Sequence, residues 1–293
     1  MLQSYYKSPN RDFTLLQGDT FQLLPKFTFH FDMIFADPPY FLSNGGFSVQ
    51  SGKMVSVNKG TWDKSNGFDA DNEFHLHWIK LCRKKLKENG TIWISGTYHN
   101  IFSVAQALAE LGFKILNVIT WEKTNPPPNL SCRYFTHSTE FIVWARKNQK
   151  VPHYYNYELM KTINGGKQMR DVWPMPAIAR WEKSCGKHPT QKPLALLTRI
   201  ILASTHTNAW VLDPFAGSST TGIAASLTGR RYLGIDGETA FLDISKHRRE
   251  ELENPMIRMN YISRLSDLSY MTDTATENVC EDSTSYASEL PFL

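Results

Sequence analysis

Asp37-Pro38-Pro39-Tyr40 closes the segment FDMIFADPPY, where an apolar run ends on a carboxylate, two prolines and an aromatic ring. The run from Met33 to Ala36 predicts a short buried strand that stops at the Pro-Pro turn. In open α/β sheets the carboxyl end of a strand faces the ligand crevice. Such a tip suits the activation of an amine attached to an aromatic ring. There the nitrogen lone pair is delocalised into the ring, and the nitrogen is a poor nucleophile. The Asp37 carboxylate and the Pro38 backbone carbonyl could accept from its two N–H bonds and draw it towards a tetrahedral shape. That aims the lone pair at an electrophilic methyl and stabilises the positive charge that builds on nitrogen. Tyr40 offers a ring on which a flat substrate stacks. Taken alone, the four residues also fit an ordinary Asp-Pro turn.

A second pattern, VLDPFAGSSTTG (Val211 to Gly222), reads as a strand, a Gly-containing turn and a helix start. A small-residue turn lets backbone approach a ligand closely, and the helix N-terminus favours a carboxylate. RRYLGID follows, ending on Asp236, 19 residues after Gly217. An acid at that strand tip suits ribose hydroxyls. The absence of GxGxxG disfavours a dinucleotide.

The elements that must carry these tips alternate apolar and amphipathic runs, the pattern of an α/β protein with a mostly parallel sheet. FHLHWIKLCRKKLKENG predicts a helix with Phe74, Trp78, Leu81 and Leu86 inward, ended by Asn89-Gly90. TIWISG, KILNVITWEK and TEFIVWARK read as strands, and IFSVAQALAELGF as a helix. After KPLALLTRIILAST (helix) come the strand tips already named and AFLDISKHRREELE (helix). Phe41 to Gly67 and Lys147 to Gly186 break this rhythm, which marks them as functional loops or disorder.

No apolar run approaches a membrane span, and the N-terminus lacks a signal-peptide core, so a cytoplasmic protein is expected. Cys82, Cys132, Cys185 and Cys280 are far apart, without metal-ligand spacing. His75 and His77 point different ways on one helix, and no metal site is expected. The net charge of +4 is unevenly spread. Arg146 to Lys192 holds ten Lys or Arg against Glu158, Asp171 and Glu182, a net +7, whereas Leu265 to Leu293 holds six acids and no base. A basic middle suits a polyanion.

With both motifs in view, the chain resembles the amino-methyltransferases of DNA in the permuted order of the β group. There DPPY comes first, a target-recognition region follows, and FxGxG comes late; here Phe215 lies 178 residues after Asp37. The likeness covers roughly residues 13 to 254. It implies a class I S-adenosylmethionine-dependent fold, doubly wound and circularly permuted, with S-adenosylmethionine as cofactor. The organisation expected is a catalytic half over 1–146 and a target-recognition insert over 147–186. A cofactor half over 187–254 and a flexible acidic tail over 255–293 complete it. Asp37, Pro38, Pro39 and Tyr40 match the catalytic motif. Asp213, Phe215, Ala216, Gly217 and Ser218 match the cofactor loop, Asp236 the ribose acid, and Asp19 an acid near the adenine. Asp19 also fits a helix N-cap. Lys187 to Pro193 matches a segment closing over the methionine moiety, with Thr190 and Lys192 as contacts. Ser219 departs from the second glycine of FxGxG, where it would crowd the cofactor or cap the helix.

Within the family the likeness is to the DpnA-type adenine-N6 methyltransferases of GATC systems. Its carriers are DMIFADPPYFLSNGG, VSVNKGTWDK, TWEKTNPPPNLSCRYFTHSTE and HYYNYELMK. It implies a site-specific adenine methyltransferase paired with a restriction endonuclease. A cytosine-N4 enzyme and a catalytically weak DNA-binding regulator are the alternatives. The base must be flipped out of the stack to reach the crevice. Trp62, Tyr134 and Phe135 are of types that wedge or stack, although Phe135 fits a core position better. Lys53, Lys59, Lys64 and Arg133 are expected on phosphates. Asn156, Gln168, Arg170 and Arg180 are of types that read bases. Duplex or single-stranded DNA, and monomer or homodimer, stay open.

Overall fold

The computed structural model describes residues 2–41, 47–50, 53–56, 64, 65, 67–186 and 188–270, with the backbone alone at 47–50 and 53–56. Strands β1 (Tyr6–Lys7), β2 (Phe13–Gln17) and β3 (Phe31–Ala36) precede a small antiparallel pair, β4 (Phe47–Gln50) and β5 (Lys53–Ser56). Then come β6 (Leu86–Gly96), β7 (Lys114–Lys123), β8 (Thr139–Arg146), β9 (Val172–Met175), β10 (Trp210–Asp213) and β11 (Arg231–Asp236). Nine strands form one sheet in the order β1-β2-β11-β10-β3-β6-β8-β7-β9. β2, β11, β10, β3 and β6 run parallel, while β8 runs antiparallel to both β6 and β7. The expected α/β class is therefore the one observed.

β3 shows why its sequence reads as a continuous apolar run. Met33 and Phe35 face one core, Ile34 and Ala36 the other, and all four are buried. A strand covered on both faces has no polar side to show. Burial of each large side chain contributes about 1.5–3 kcal/mol. Helices α2 (Phe68–Lys85) and α3 (Ile101–Glu110) cover the second face, with the short α1 (Thr20–Leu23) beside them. α4 (Tyr157–Ile163), α5 (Leu194–Ser204), α6 (Thr220–Leu227) and α7 (Thr239–Glu251) contribute to the first core. Residues 147–186 share that core, through Met160 of α4 and Trp173 of β9, which extends the sheet beside β7.

Two expectations are corrected. α2 ends at Lys85 rather than at Asn89-Gly90, because Leu86 already has extended backbone and pairs with Phe31. Its last turn carries Arg83, Lys84 and Lys85, the charges that suit a helix C-terminus, and Lys85 Nζ donates to the Phe27 carbonyl. Gly90 instead lies in a bulge of β6, where an added Cβ would come 3.0 Å from the Lys87 carbonyl oxygen and 3.1 Å from that of Asp32. The flexible tail, expected from residue 255, is ordered as far as Tyr270. Asn254 caps α8 (Pro255–Ser263) by accepting from the Met256 and Ile257 amides. Tyr261, Leu265 and Leu268 are buried, and Arg199 of α5 grips Asp267 of α9 (Ser266–Ser269) through two bonds of 2.8 and 3.0 Å. The rest of the tail lies outside the described residues.

Candidate active site

The tips of adjacent strands converge on a cavity of about 420 Å³. β2 contributes Gly18-Asp19, β11 Asp236, β10 Asp213 with the loop after it, and β3 Asp37. Leu212 pairs with Ile34, so Asp213, the last residue of β10, and Asp37, just past the end of β3, sit at the tips of neighbouring strands. Asp19, Asp37, Pro39, Thr190, Lys192, Asp213, Phe215, Ala216, Gly217, Ser218 and Asp236, all expected on the sequence, line this cavity. Thr20, Phe21, Glu238 and Phe241 line it too, with no role assigned from the sequence, as do Phe74, expected only as an inward helix residue, and His188, from the segment expected over the methionine moiety.

On the cofactor side, backbone geometry dominates. Gly217 has φ +50, and an added Cβ would sit 2.9 Å from His188 Nε2, so both conformation and space call for glycine. His188 is held edge-on to Phe241, with ring centroids 4.2 Å apart. The Gly217 amide donates to Asp236 Oδ2 at 2.7 Å, and the Glu238 amide to Oδ1 at 2.9 Å. Burial raises the Asp236 carboxyl despite these bonds. Asp213 accepts from Thr221 Oγ1 at 2.6 Å and from the Phe215 amide at 3.1 Å. Burial, aided by the Asp37 and Asp236 charges, still pushes it up to about 7. Asp19 both lines the cavity and caps α1, accepting from the Phe21 amide at 2.8 Å. Thr20 Oγ1 ties α1 to the Pro214 carbonyl.

These residues fit S-adenosylmethionine. Asp213 and Asp236, held by backbone amides and a hydroxyl, line the cavity wall with carboxyl groups, which suits a ligand whose sulfonium is positive. Phe21, Phe74 and Phe215 give apolar cover for a purine. Ser219 neither crowds this space nor caps α6. Its backbone is left-handed (φ 52), it makes no side-chain cap bond, and its buried Oγ accepts from Tyr232 OH at 3.2 Å.

On the transfer side, Asp37 Oδ1 accepts from Ser95 Oγ at 2.5 Å and from Tyr40 OH at 2.7 Å. Oδ2 accepts from Lys192 Nζ at 2.6 Å. Burial alone would raise the Asp37 carboxyl, but the Lys192 charge and the three hydrogen bonds outweigh it and hold it below the usual value. Burial and Asp37 raise the Tyr40 phenol, which stays a donor. Lys192, expected on the cofactor, lines the cavity but gives its ammonium to Asp37, with Glu140 Oε2 3.7 Å away. Glu140 belongs to β8. That strand is antiparallel to β6, so its beginning lies at the carboxyl ends of its neighbours. Ser95 was legible only through register: Ile94 pairs with Ala36, which puts Ser95 beside Asp37.

Around the mouth, Tyr134, His137, Tyr98 and His99 form a run of rings with successive centroids 5.4, 5.0 and 3.8 Å apart. Phe135 is 96% exposed, not core. The Asn125 side chain accepts from the Ala177 amide at 2.8 Å, joining this loop to the segment that carries Arg180. Arg133, Arg170 and Arg180 are exposed. Asn156 spends its Oδ1 capping α4, and Gln168 donates to Tyr157 OH at 3.0 Å, so neither is a free reader in this state. Lys53 is described in backbone only; Lys59, Trp62 and Lys187 lie outside the described residues, and Lys64 is exposed. Among the described residues no helix is long and apolar enough to cross a membrane, and no group of three His, Cys, Asp or Glu could hold a metal.

Comparison with known proteins agrees with this geometry. The model of the DNA methylase family (N6_N4_Mtase) matches residues 31–247. The Type II methyltransferase M2.DpnII of Streptococcus pneumoniae is 58% identical over 252 residues, covering 85% of this chain and 93% of that one. M2.MboI of Moraxella bovis is 53% identical over 265 residues, covering 90% and 97%. Among solved structures, the M1.HpyAVI–SAM complex superposes with a TM-score of 0.63 at 30% identity, over 81% of this chain and 98% of that one. The cytosine-N4-specific PvuII methyltransferase reaches the same TM-score at 19% identity, over 83% and 89%, a likeness of fold. With two strand tips built for a methyl donor and an amine, the chain belongs to the DNA methylase family and is an S-adenosylmethionine-dependent DNA methyltransferase.

Proposed function

We propose that the enzyme methylates N6 of a flipped adenine in GATC and serves as the modification partner of a restriction endonuclease. The observation that carries the reading is Asp37 at the tip of β3, a half-buried carboxylate beside the cofactor tip of β10. Asp at this motif position is consistent with adenine, since cytosine-N4 enzymes more often have Ser. The Type II methyltransferases among its relatives support the restriction pairing, and GATC rests on the resemblance to DpnA-type enzymes.

When bound, S-adenosylmethionine supplies an electrophilic methyl on its sulfonium. Asp37 accepts one N–H of the target amine, and the Pro38 carbonyl the other. As the nitrogen loses conjugation and gains positive charge, the fixed carboxylate stabilises it without having to reorient. Ser95 and Tyr40 hold that carboxylate in place. Phe135 enters the stack where the base has left, and the Tyr134–His137–Tyr98–His99 rings carry neighbouring nucleotides. Arg133, Arg170 and Arg180 meet phosphates or base edges.

The test is transfer of tritiated methyl to a GATC duplex, followed by digestion and identification of the labelled nucleoside. Label in N6-methyladenine, with protection from a GATC-cleaving nuclease, is expected. Label on cytosine N4, or equal transfer to duplexes lacking GATC, would overturn the assignment.

A further inference from the structure

Lys192 occupies what the target base needs. Its Nζ lies 2.6 Å from Asp37 Oδ2 and 5.1 Å from the centroid of the Tyr40 ring, over one face. An ammonium so close to the reacting nitrogen opposes the positive charge that methyl transfer creates there, and it neutralises the carboxylate meant to stabilise that charge. The buried pair therefore suits the empty site better than the reacting one.

A second acceptor is already in reach. Glu140 Oε1 takes Lys123 Nζ at 2.6 Å, but its buried Oε2 has no hydrogen-bond partner. That oxygen stands 3.7 Å from Lys192 Nζ. A buried carboxylate oxygen without a donor is costly, and a shift of about 1 Å would bring the two to hydrogen-bond distance. Asp37 and Glu140 both keep the ammonium charged against the effect of its burial, so the move changes its partner and not its protonation.

We propose that Glu140 is a positioning residue that draws Lys192 off Asp37 and Tyr40 as the target base enters. Asp37 Oδ2 is then free for the amine, the Tyr40 face for the ring, and the negative charge of Asp37 is restored where the nitrogen turns positive. The assignment rests on reading Asp37 as the group that grips the amine. It concerns a step before methyl transfer, and no bond is made or broken in it.

The test combines base entry with kinetics. A GATC duplex carrying 2-aminopurine at the target position reports entry by fluorescence, without turnover. Glu140→Gln should keep duplex and cofactor affinity within about 2-fold while cutting both the fluorescence rise and kcat by at least about 10-fold. Glu140→Asp should restore part of each, and Lys123→Met, which removes the other partner of Glu140, should leave kcat within about 3-fold. In a Lys192→Met background, Glu140→Gln should cost nothing further, because its effect runs through Lys192. Unchanged fluorescence and kcat in Glu140→Gln, or a full additional loss in the Lys192→Met background, would overturn the proposal. Wild-type turnover separates the two readings. If adenine is not methylated, the N6 reading fails, and the fluorescence series still decides the role of Glu140.

Discussion

The two sides of the cavity are built in opposite ways. Around the β10 and β11 tips, Ser218, Ser219, Thr220 and Thr221 are buried, and Asp213 and Asp236 are held by backbone amides and hydroxyls. Around the β6 and β8 tips, Tyr98 is 49% exposed, Tyr134 60% and Phe135 96%. The first side receives one constant small molecule, and a cradle of fixed backbone can be complete before binding. In the proposed function the second receives a polymer that must itself be deformed, which agrees with rings left exposed for a base stack to cover. One side spends its residues on preorganisation, the other on surface still to be buried.

That contrast can be broken most severely where the sides meet. Asp37→Ala should lower methyl transfer by about 10³-fold or more, while cofactor affinity measured by calorimetry changes far less. Equal losses in both would erase the division into two sides. Next in size, Phe135→Ala should raise KM for duplex DNA about 10-fold and leave cofactor affinity and thermal stability unchanged. A mismatch at the target adenine, which lowers the cost of flipping, should recover most of that loss. If it does not, Phe135 is no wedge.

On the cofactor side, Asp213 sharpens the comparison through pH. Its folded carboxyl sits near 7, above the ordinary 3.8, so the folded state holds the proton more tightly than the unfolded chain. This contribution to stability is present at low pH and is lost as pH rises from about 4 through 7. The cofactor-free protein should therefore lose Tm between about pH 5 and 7 less steeply as Asp213→Asn than as wild type. The stabilisation by S-adenosylmethionine should grow over the same interval, because the ionised acid faces a cation. With the product S-adenosylhomocysteine, whose thioether sulfur carries no charge, it should stay flat. Parallel curves for the two ligands would dismiss Asp213 as a partner of the sulfonium. The smallest effect belongs to Ser219→Gly. Relief of the left-handed backbone, about 1 kcal/mol, is offset by loss of the acceptor for Tyr232 OH, about 1 kcal/mol, so Tm should barely move.

Much of the site was legible because its chemistry is carried by short contiguous runs. Asp37 to Tyr40 and Asp213 to Ser218 each follow an apolar strand, and a strand followed by a tight turn is a local property. What escaped was non-local. Glu140 reaches the site from the start of a strand, because β8 alone among the strands around the site runs backwards, and no local pattern announces that. Lys192 was read as a cofactor contact, since its partner Asp37 lies 155 residues earlier. α8 and α9 were hidden by polar composition, although Tyr261, Leu265 and Leu268 are spaced for one helical face. Asn156 looked like a reader of bases by type, but the first turn of α4 needed a cap.

The register of Leu212 against Ile34 fixes how the tips of β10 and β3 stand to one another. It makes the spacing of the two tips a property of backbone hydrogen bonding, the least mutable ruler a protein has. The loops after β6 and before β8 can change their residues without moving these two tips apart. Substitution there redecorates the rim and leaves the frame beneath it as it was.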